Sequence, residues 1–264
     1  MADPALEFRS AIDRTWLEAA SSADPVAHAY ALWDLDHAPD RIRFVAAAAG
    51  DETLGYLLVW LGHPVAPVVH WVGTDARLGP LADRLPSRPL VAIVPEEFRE
   101  RVNATRGPAR AHALLVLLAS ETGALPPRPE PEIRRLRAPD RGALSAWADR
   151  QDDAVVGEYA HLDPEAELVW GAFEDGRLVG AIRAAVRLPR IWVLGGVYVE
   201  PAARGEGWGR SLVETALSAA RAAGAPLALY VREDRTPART LYASLGFRSV
   251  GRRVWLDAGS GLSP

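Results

Sequence analysis

The run Arg204-Gly205-Glu206-Gly207-Trp208-Gly209-Arg210 sets three glycines between two arginines, just ahead of an amphipathic stretch that stops at Gly224. With no side chain over the backbone at Gly205, Gly207 and Gly209, amide N–H groups can face outward together at a helix N-terminus. Such a nest binds anions, and the helix dipole adds about 0.3–1 kcal/mol per charge interaction. Arg204 and Arg210 bracket it and can reach phosphate oxygens. The chemistry this suits is the grip of a diphosphate. A flexible turn ahead of an ordinary helix has the same composition, so context must decide. The spacing is not the Gly-x-Gly-x-x-Gly of dinucleotide sites, and the chain has no lysine, which excludes a Walker A loop.

The elements around the nest supply that context. Residues 166–201 alternate or run apolar between the turn signals Glu174-Asp175-Gly176 and Leu188-Pro189-Arg190, which predicts an antiparallel meander. A helix is predicted from Gly207 to Ala223, stopped by Gly224 and Pro226. Pro226–Asp234 reads as a strand. Thr236–Gly246 reads as a helix with Thr236 as N-cap, Pro237 at its first position and Gly246 as its stop. A strand at Ile133–Arg137 and a helix at Pro139–Gln151 precede the meander, and a strand at Phe247–Leu256 closes the chain.

On these residues the chain resembles the GCN5-related N-acetyltransferase (GNAT) superfamily. Arg204–Gly209 fits its R/Q-x-x-G-x-G/A acyl-CoA signature, preceded by Val199-Glu200-Pro201, and VREDRTPARTLYASLGF (Val231–Phe247) looks like its second motif. The likeness covers about residues 131–256. It implies an α+β fold, a mixed central sheet flanked by helices, and acetyl-CoA as co-substrate without a metal. It further implies that the backbone of Val197, Tyr198 and Val199 bonds the pantetheine arm as an added strand would. The diphosphate would lie on Arg204, Gly205, Glu206, Gly207, Trp208, Gly209 and Arg210, with Arg235 and Arg239 also toward the cofactor. Tyr242 matches the tyrosine that protonates the departing thiolate, and a hydroxyl with a reference pKa of ~10 is protonated at neutral pH and can donate. An N–H near Val197 would serve as oxyanion donor.

Two departures stand out. Arg235 replaces the asparagine of the second motif, and the pantetheine strand, Arg190 to Gly196, has neither acid nor histidine. An alkyl ammonium with pKa ~10.4 is neutral in roughly one molecule per thousand at pH 7, so something must take its proton. Glu158 is the assigned acid, with Asp152, Asp153, His161, Glu233 or a water chain as the alternatives. Each acid could equally be a solvated loop charge. The group Asp152, Asp153 and Glu158 falls where the family forms its acceptor pocket, and Trp147, Trp170 and Trp192 could line it. With no cysteine in the chain, transfer is expected as direct attack of an amine on the thioester.

The chain has 264 residues, enough for two domains of ordinary size. Four prolines within Leu125–Ile133 predict a stiff connector, which divides the protein into 1–126, a linker at 127–132, and a catalytic domain at 133–264. In the first half the patterns predict helices at Leu6–Ala20 and Pro25–Leu35, then strands at Ile42–Ala48, Leu54–Leu61 and Val68–Val72. A short helix at Leu78–Leu85, a strand at Pro89–Val94 and a helical start at Pro95–Val102 follow. His112–Ser120 reads as a buried strand or a short helix. This order resembles that of the second half, and Val72–Arg77 parallels Val199–Arg204, so the first half is expected to be a degenerate copy, whose glycines are lost and whose Pro80 removes an amide donor, or else an accessory domain.

The formal net charge is −4, which argues against a general nucleic-acid binder. No apolar run approaches the ~20 residues of a membrane span, and the N-terminus has no signal-peptide pattern. The expectation is a cytoplasmic N-acetyltransferase acting on a small-molecule or protein amine, with no nucleic-acid or membrane partner and with sheet edges that would allow a homodimer. A non-catalytic acyl-CoA-binding module, or an acyltransferase for longer chains, stands as the alternative.

Overall fold

The structure, a computed structural model, describes residues 5–119, 132–151 and 158–262. In chain order these form β1 (Leu6–Arg9), α1 (Arg14–Ala23), α2 (Pro25–His37), β2 (Ile42–Ala49), β3 (Glu52–Trp60), β4 (Val68–Val72), a 3-10 segment (Ala76–Arg84), β5 (Leu90–Val94), α3 (Arg99–Arg106) and β6 (Arg110–Ala119). The second half contributes β7 (Glu132–Arg135), α4 (Arg141–Ala148), a 3-10 turn (Glu158–His161), β8 (Leu168–Glu174), β9 (Arg177–Leu188), β10 (Ile191–Val199), α5 (Trp208–Ala222), β11 (Leu227–Arg232), α6 (Thr236–Ser244) and β12 (Phe247–Ala258).

All the strands join one sheet in the order β1-β2-β3-β4-β5-β12-β6-β11-β10-β9-β8-β7. Read inward from either edge, the pairing senses repeat: three antiparallel pairs, then a parallel one, β4 with β5 and β10 with β11. The two halves are thus related copies laid edge to edge. At the centre their last strands cross over. β6 of the first half pairs with β11 of the second, β12 pairs with β5, and β6 and β12 pair antiparallel with each other. Each copy is completed by a strand of the other.

Burial explains the central strand. Leu114 to Leu117 of β6 are all buried, one face against α5 and α6 and the other toward α2, so the run that periodicity left open between helix and strand is a strand covered on both faces. The helix α5 buries Leu212, Val213, Ala216, Leu217 and Ala220, one stripe at helical spacing, against Ala172, Ile182, Leu194, Leu227 and Leu229. Each fully buried leucine contributes about 1.5–3 kcal/mol. The opposite face of the second half is covered by α4 and, from the first half, by α2, whose Ala29 packs with Val186, Ile191, Val193 and Ala228.

Three local expectations are corrected. Leu6–Arg9 is an edge strand, not a helix: its side chains alternate in burial, and the helix begins only after Asp13, whose carboxylate accepts the amides of Thr15 and Trp16. The helix expected at Leu78–Leu85 is a 3-10 segment from Ala76 to Arg84, since Pro80 has no amide for an α-helical bond. Thr236 lies inside α6, and Arg235 is its N-cap without a side-chain cap bond. Among the described residues no helix is long and apolar enough to cross a membrane.

Candidate functional site

The parallel pair β10–β11 keeps register only at Trp192↔Leu227, Val193↔Ala228 and Leu194↔Leu229. Beyond Leu194 the strands part. On its other side β10 also loses register with β9, whose pairing jumps from Gly195↔Arg183 to Tyr198↔Ala181. Gly196 and Val197 therefore form a bulge outside the β9 ladder, and Gly196 holds a φ of +61°. The end of β10 thus offers main-chain groups on the edge turned toward the gap, the arrangement that an added extended strand requires.

Tyr159 fixes this bulge. It is buried, and its hydroxyl donates to the Gly196 carbonyl oxygen over 2.5 Å and to that of Gly195 over 3.3 Å. A Cβ on Gly196 would sit 2.7 Å from the Tyr159 ring and hydroxyl. Trp147 stacks edge-on to Tyr159 at 5.5 Å and to Tyr198 at 6.0 Å. Tyr159 follows the assigned Glu158 directly, but nothing in its neighbourhood of sequence announces a contact with a strand 37 positions away.

The glycine run closes the gap on the α5 side. Gly207 is the N-cap of α5 in the left-handed region, φ +92°, with no side-chain cap bond, so the first amides of α5 are left to an external acceptor. A Cβ at Gly205 or Gly207 would meet nothing within 4 Å, which marks this face as open. Gly209 instead faces Leu241 and Val199 at 3.8 Å, so its role is close packing of α5 on α6 and β10. Open donors at a helix start fit a diphosphate.

The charged groups separate. Arg204 is exposed, donates from Nε to the Val199 carbonyl at 3.0 Å and lies 5.3 Å from the centre of the Tyr198 ring. Arg210 is tied to Glu214 at 2.9 Å and to Ser244 of α6 at 2.6 Å, so it straps α5 to α6. Glu206 is exposed beside the nest. Trp208 and Val197 are half-buried on the α5-side core. Arg235 is exposed at the start of α6. Arg239 donates to the Glu233 carbonyl at 2.9 Å and lines a cleft of about 330 Å³ with Leu115, Thr236 and Phe247, on the β6–β12 side of α6. Glu233 is engaged by Arg252 at 2.6 Å.

Tyr242 is buried at 6% exposure in the core under α5, with its ring edge-on to Phe247 at 5.6 Å. Burial raises its hydroxyl above the ordinary tyrosine range, so it stays a donor through neutral and mildly alkaline pH. Of the acids read from the sequence, Asp152 and Asp153 lie outside the described residues, as does the side chain of Glu158; His161 is exposed. Trp170 and Trp192 belong to the core under α5, and only Trp147 lies on the Tyr159 side.

In the first half the position equivalent to the nest is already filled. The Asp75 carboxylate accepts the Arg77 amide at 2.9 Å and pairs with its guanidinium at 2.7 Å, and Pro80 follows. An anion there would meet a carboxylate in place of open amides.

Residues 130–247 match the model of the Acetyltransferase (GNAT) family. A mycothiol acetyltransferase from Beutenbergia cavernae is 35% identical over 120 residues, which make up 42% of this chain and 37% of that protein, so the match spans little more than a third of the relative's length. Among solved structures, a Drosophila protein superposes with a TM-score of 0.71 at 15% identity, covering 97% of this chain and 98% of its own. A tandem GNAT protein from the clavulanic acid biosynthesis pathway superposes with a TM-score of 0.60 at 19% identity, covering 98% and 100%. Both share the fold over essentially the whole chain.

Proposed function

We propose that the protein, whose residues 130–247 match the model of the Acetyltransferase (GNAT) family, transfers an acetyl group from acetyl-CoA directly to a primary amine. The observation that carries this reading is the parting of β10 from β11 after Leu194, immediately upstream of the uncapped start of α5. The amides at Gly207 to Arg210, with Arg204, hold the diphosphate. The open edge of Val197 to Val199 holds the pantetheine arm, which sets the thioester beside the Gly196–Val197 bulge. There the amide of Val197 stabilises the oxyanion as the amine attacks. Tyr242 donates its proton to the departing thiolate. The residues from 133 on, completed by β6, form the catalytic unit, and the first half is an accessory copy. A small-molecule acceptor is favoured by the relative named for mycothiol.

The test is thiol release from acetyl-CoA with glucosamine, spermidine and a lysine peptide, beside calorimetric titration with CoA. Turnover with acetyl-CoA and Kd values for CoA in the micromolar range are expected. CoA binding with no turnover on any amine, and no effect of Tyr242→Phe, would favour a non-catalytic binding module. Longer thioesters in the same assay define the acyl preference.

A further inference from the structure

The face of β10 opposite α5 is covered by an element of the other half of the chain. The helix α2 lies across β9, β10 and β11 on the face opposite α5. Along its applied side, Tyr30 stands 6.5 Å from Tyr230 of β11, Trp33 lies 5.2 Å under the Arg187 guanidinium of β9, and Asp34, one turn beyond Tyr30, is half-buried within the field of the Arg183 charge of β9. Arg183 is the register partner of Gly195, and its Nε is 3.3 Å from where a Gly195 Cβ would sit. Arg183 therefore joins the α2 face that carries Asp34 to the residue preceding the β10 bulge, the bulge that Tyr159 also reaches. A thioester held in the gap by the α5-side groups would present its carbonyl carbon to this second face.

We infer that Asp34, carried by the first half of the chain, is the general base that takes the proton of the acceptor ammonium. The inference rests on the acetyl-transfer reading above. In the step, the ammonium gives one proton to Asp34, which passes it to solvent. The free amine then forms the N–C bond, the C–S bond breaks, and the proton shed by the acylated nitrogen balances the one that Tyr242 gives to sulfur. Burial pushes the Asp34 carboxyl up to about 7, against the opposing pull of Arg183. A base with this affinity matches a reaction run near neutral pH. Charged or titratable groups along α2 and on the elements packed against it include Arg187 of β9 at Trp33, Tyr230 of β11 and His70 of β4 at Tyr30, and the Asp36–Arg14 pair and His37 at the end of α2.

Asp34→Asn should lower kcat/KM about 100-fold on any of the three probe amines that the wild type turns over. Its CoA affinity should stay within about 2-fold, and Asp34→Glu should recover part of the rate. A readout without substrate accompanies this. A carboxyl raised by folding binds its proton more tightly in the native state, so wild-type stability should fall between about pH 4 and 7 relative to Asp34→Asn, then level off. Asp34→Ser serves if the amide variant does not fold. An Asp34→Asn enzyme that binds CoA and works within about 3-fold of wild type overturns the assignment and leaves acetyl transfer standing. A wild type that binds CoA but releases no thiol with any probe amine overturns both.

Discussion

The Tyr159 hydroxyl donates to the Gly196 carbonyl oxygen across 2.5 Å, joining a 3-10 turn ahead of β8 to the bulge of β10. This bond holds the backbone in the one place where β10 is paired with neither neighbour. Tyr159→Phe removes the hydroxyl that donates to the Gly196 and Gly195 carbonyls and leaves them short of a donor, at a cost of about 1–3 kcal/mol. We expect kcat to fall about 10-fold while CoA affinity changes little, because the diphosphate grip lies elsewhere. Gly196→Ala should be worse, since its Cβ meets the Tyr159 ring at 2.7 Å. Equal rates in all three proteins would show that the bulge is a packing irregularity.

Gly207→Val tests the nest. The new side chain enters open space, but the φ of +92° is one that β-branched residues do not adopt. Releasing that strain rotates the first amides of α5 away from a common focus. The CoA Kd should rise at least about 10-fold, and unfolding should shift by only about 1–2 kcal/mol. Calorimetry of CoA binding and urea unfolding measure the two effects separately.

Tyr242→Phe separates chemistry from stability. The hydroxyl makes no hydrogen bond among the described residues, so its removal leaves no partner unsatisfied. Stability and CoA affinity should remain near wild type while kcat falls about 100-fold. A wild-type rate in Tyr242→Phe would remove this tyrosine from the reaction.

His70 governs acid sensitivity. It is stacked on Tyr30 at 4.4 Å, and burial lowers its pKa to about 4; His28, whose Nδ1 is 3.0 Å from the Tyr56 hydroxyl, is lowered for the same reason. Both protonate more readily in the unfolded chain. The contribution of His70 to stability is whole above about pH 6.5 and is lost as pH falls toward 4, and that of His28 is lost in the same direction. His70→Gln should flatten that limb of the stability–pH curve, read by urea unfolding at pH 4.5 and 7.5.

Much of the molecule was legible in the chain. The glycine run marked the start of α5, Gly224 and Gly246 marked helix ends, and the meander of β8, β9 and β10 followed from alternation and turn residues. These signals are local: a cap, a left-handed glycine or a period of two acts within a few residues, so it can be read from them. Tertiary structure alone decided that Leu6–Arg9 pairs at the sheet edge, that β6 and β12 exchange between halves, and that α2 of the first half lies across β9, β10 and β11. Tyr159 and Asp34 look like any tyrosine and any helix-surface acid in their own neighbourhoods. What sets them apart is burial against strands tens to more than a hundred residues away, and that follows from which apolar faces find each other when the whole sheet closes.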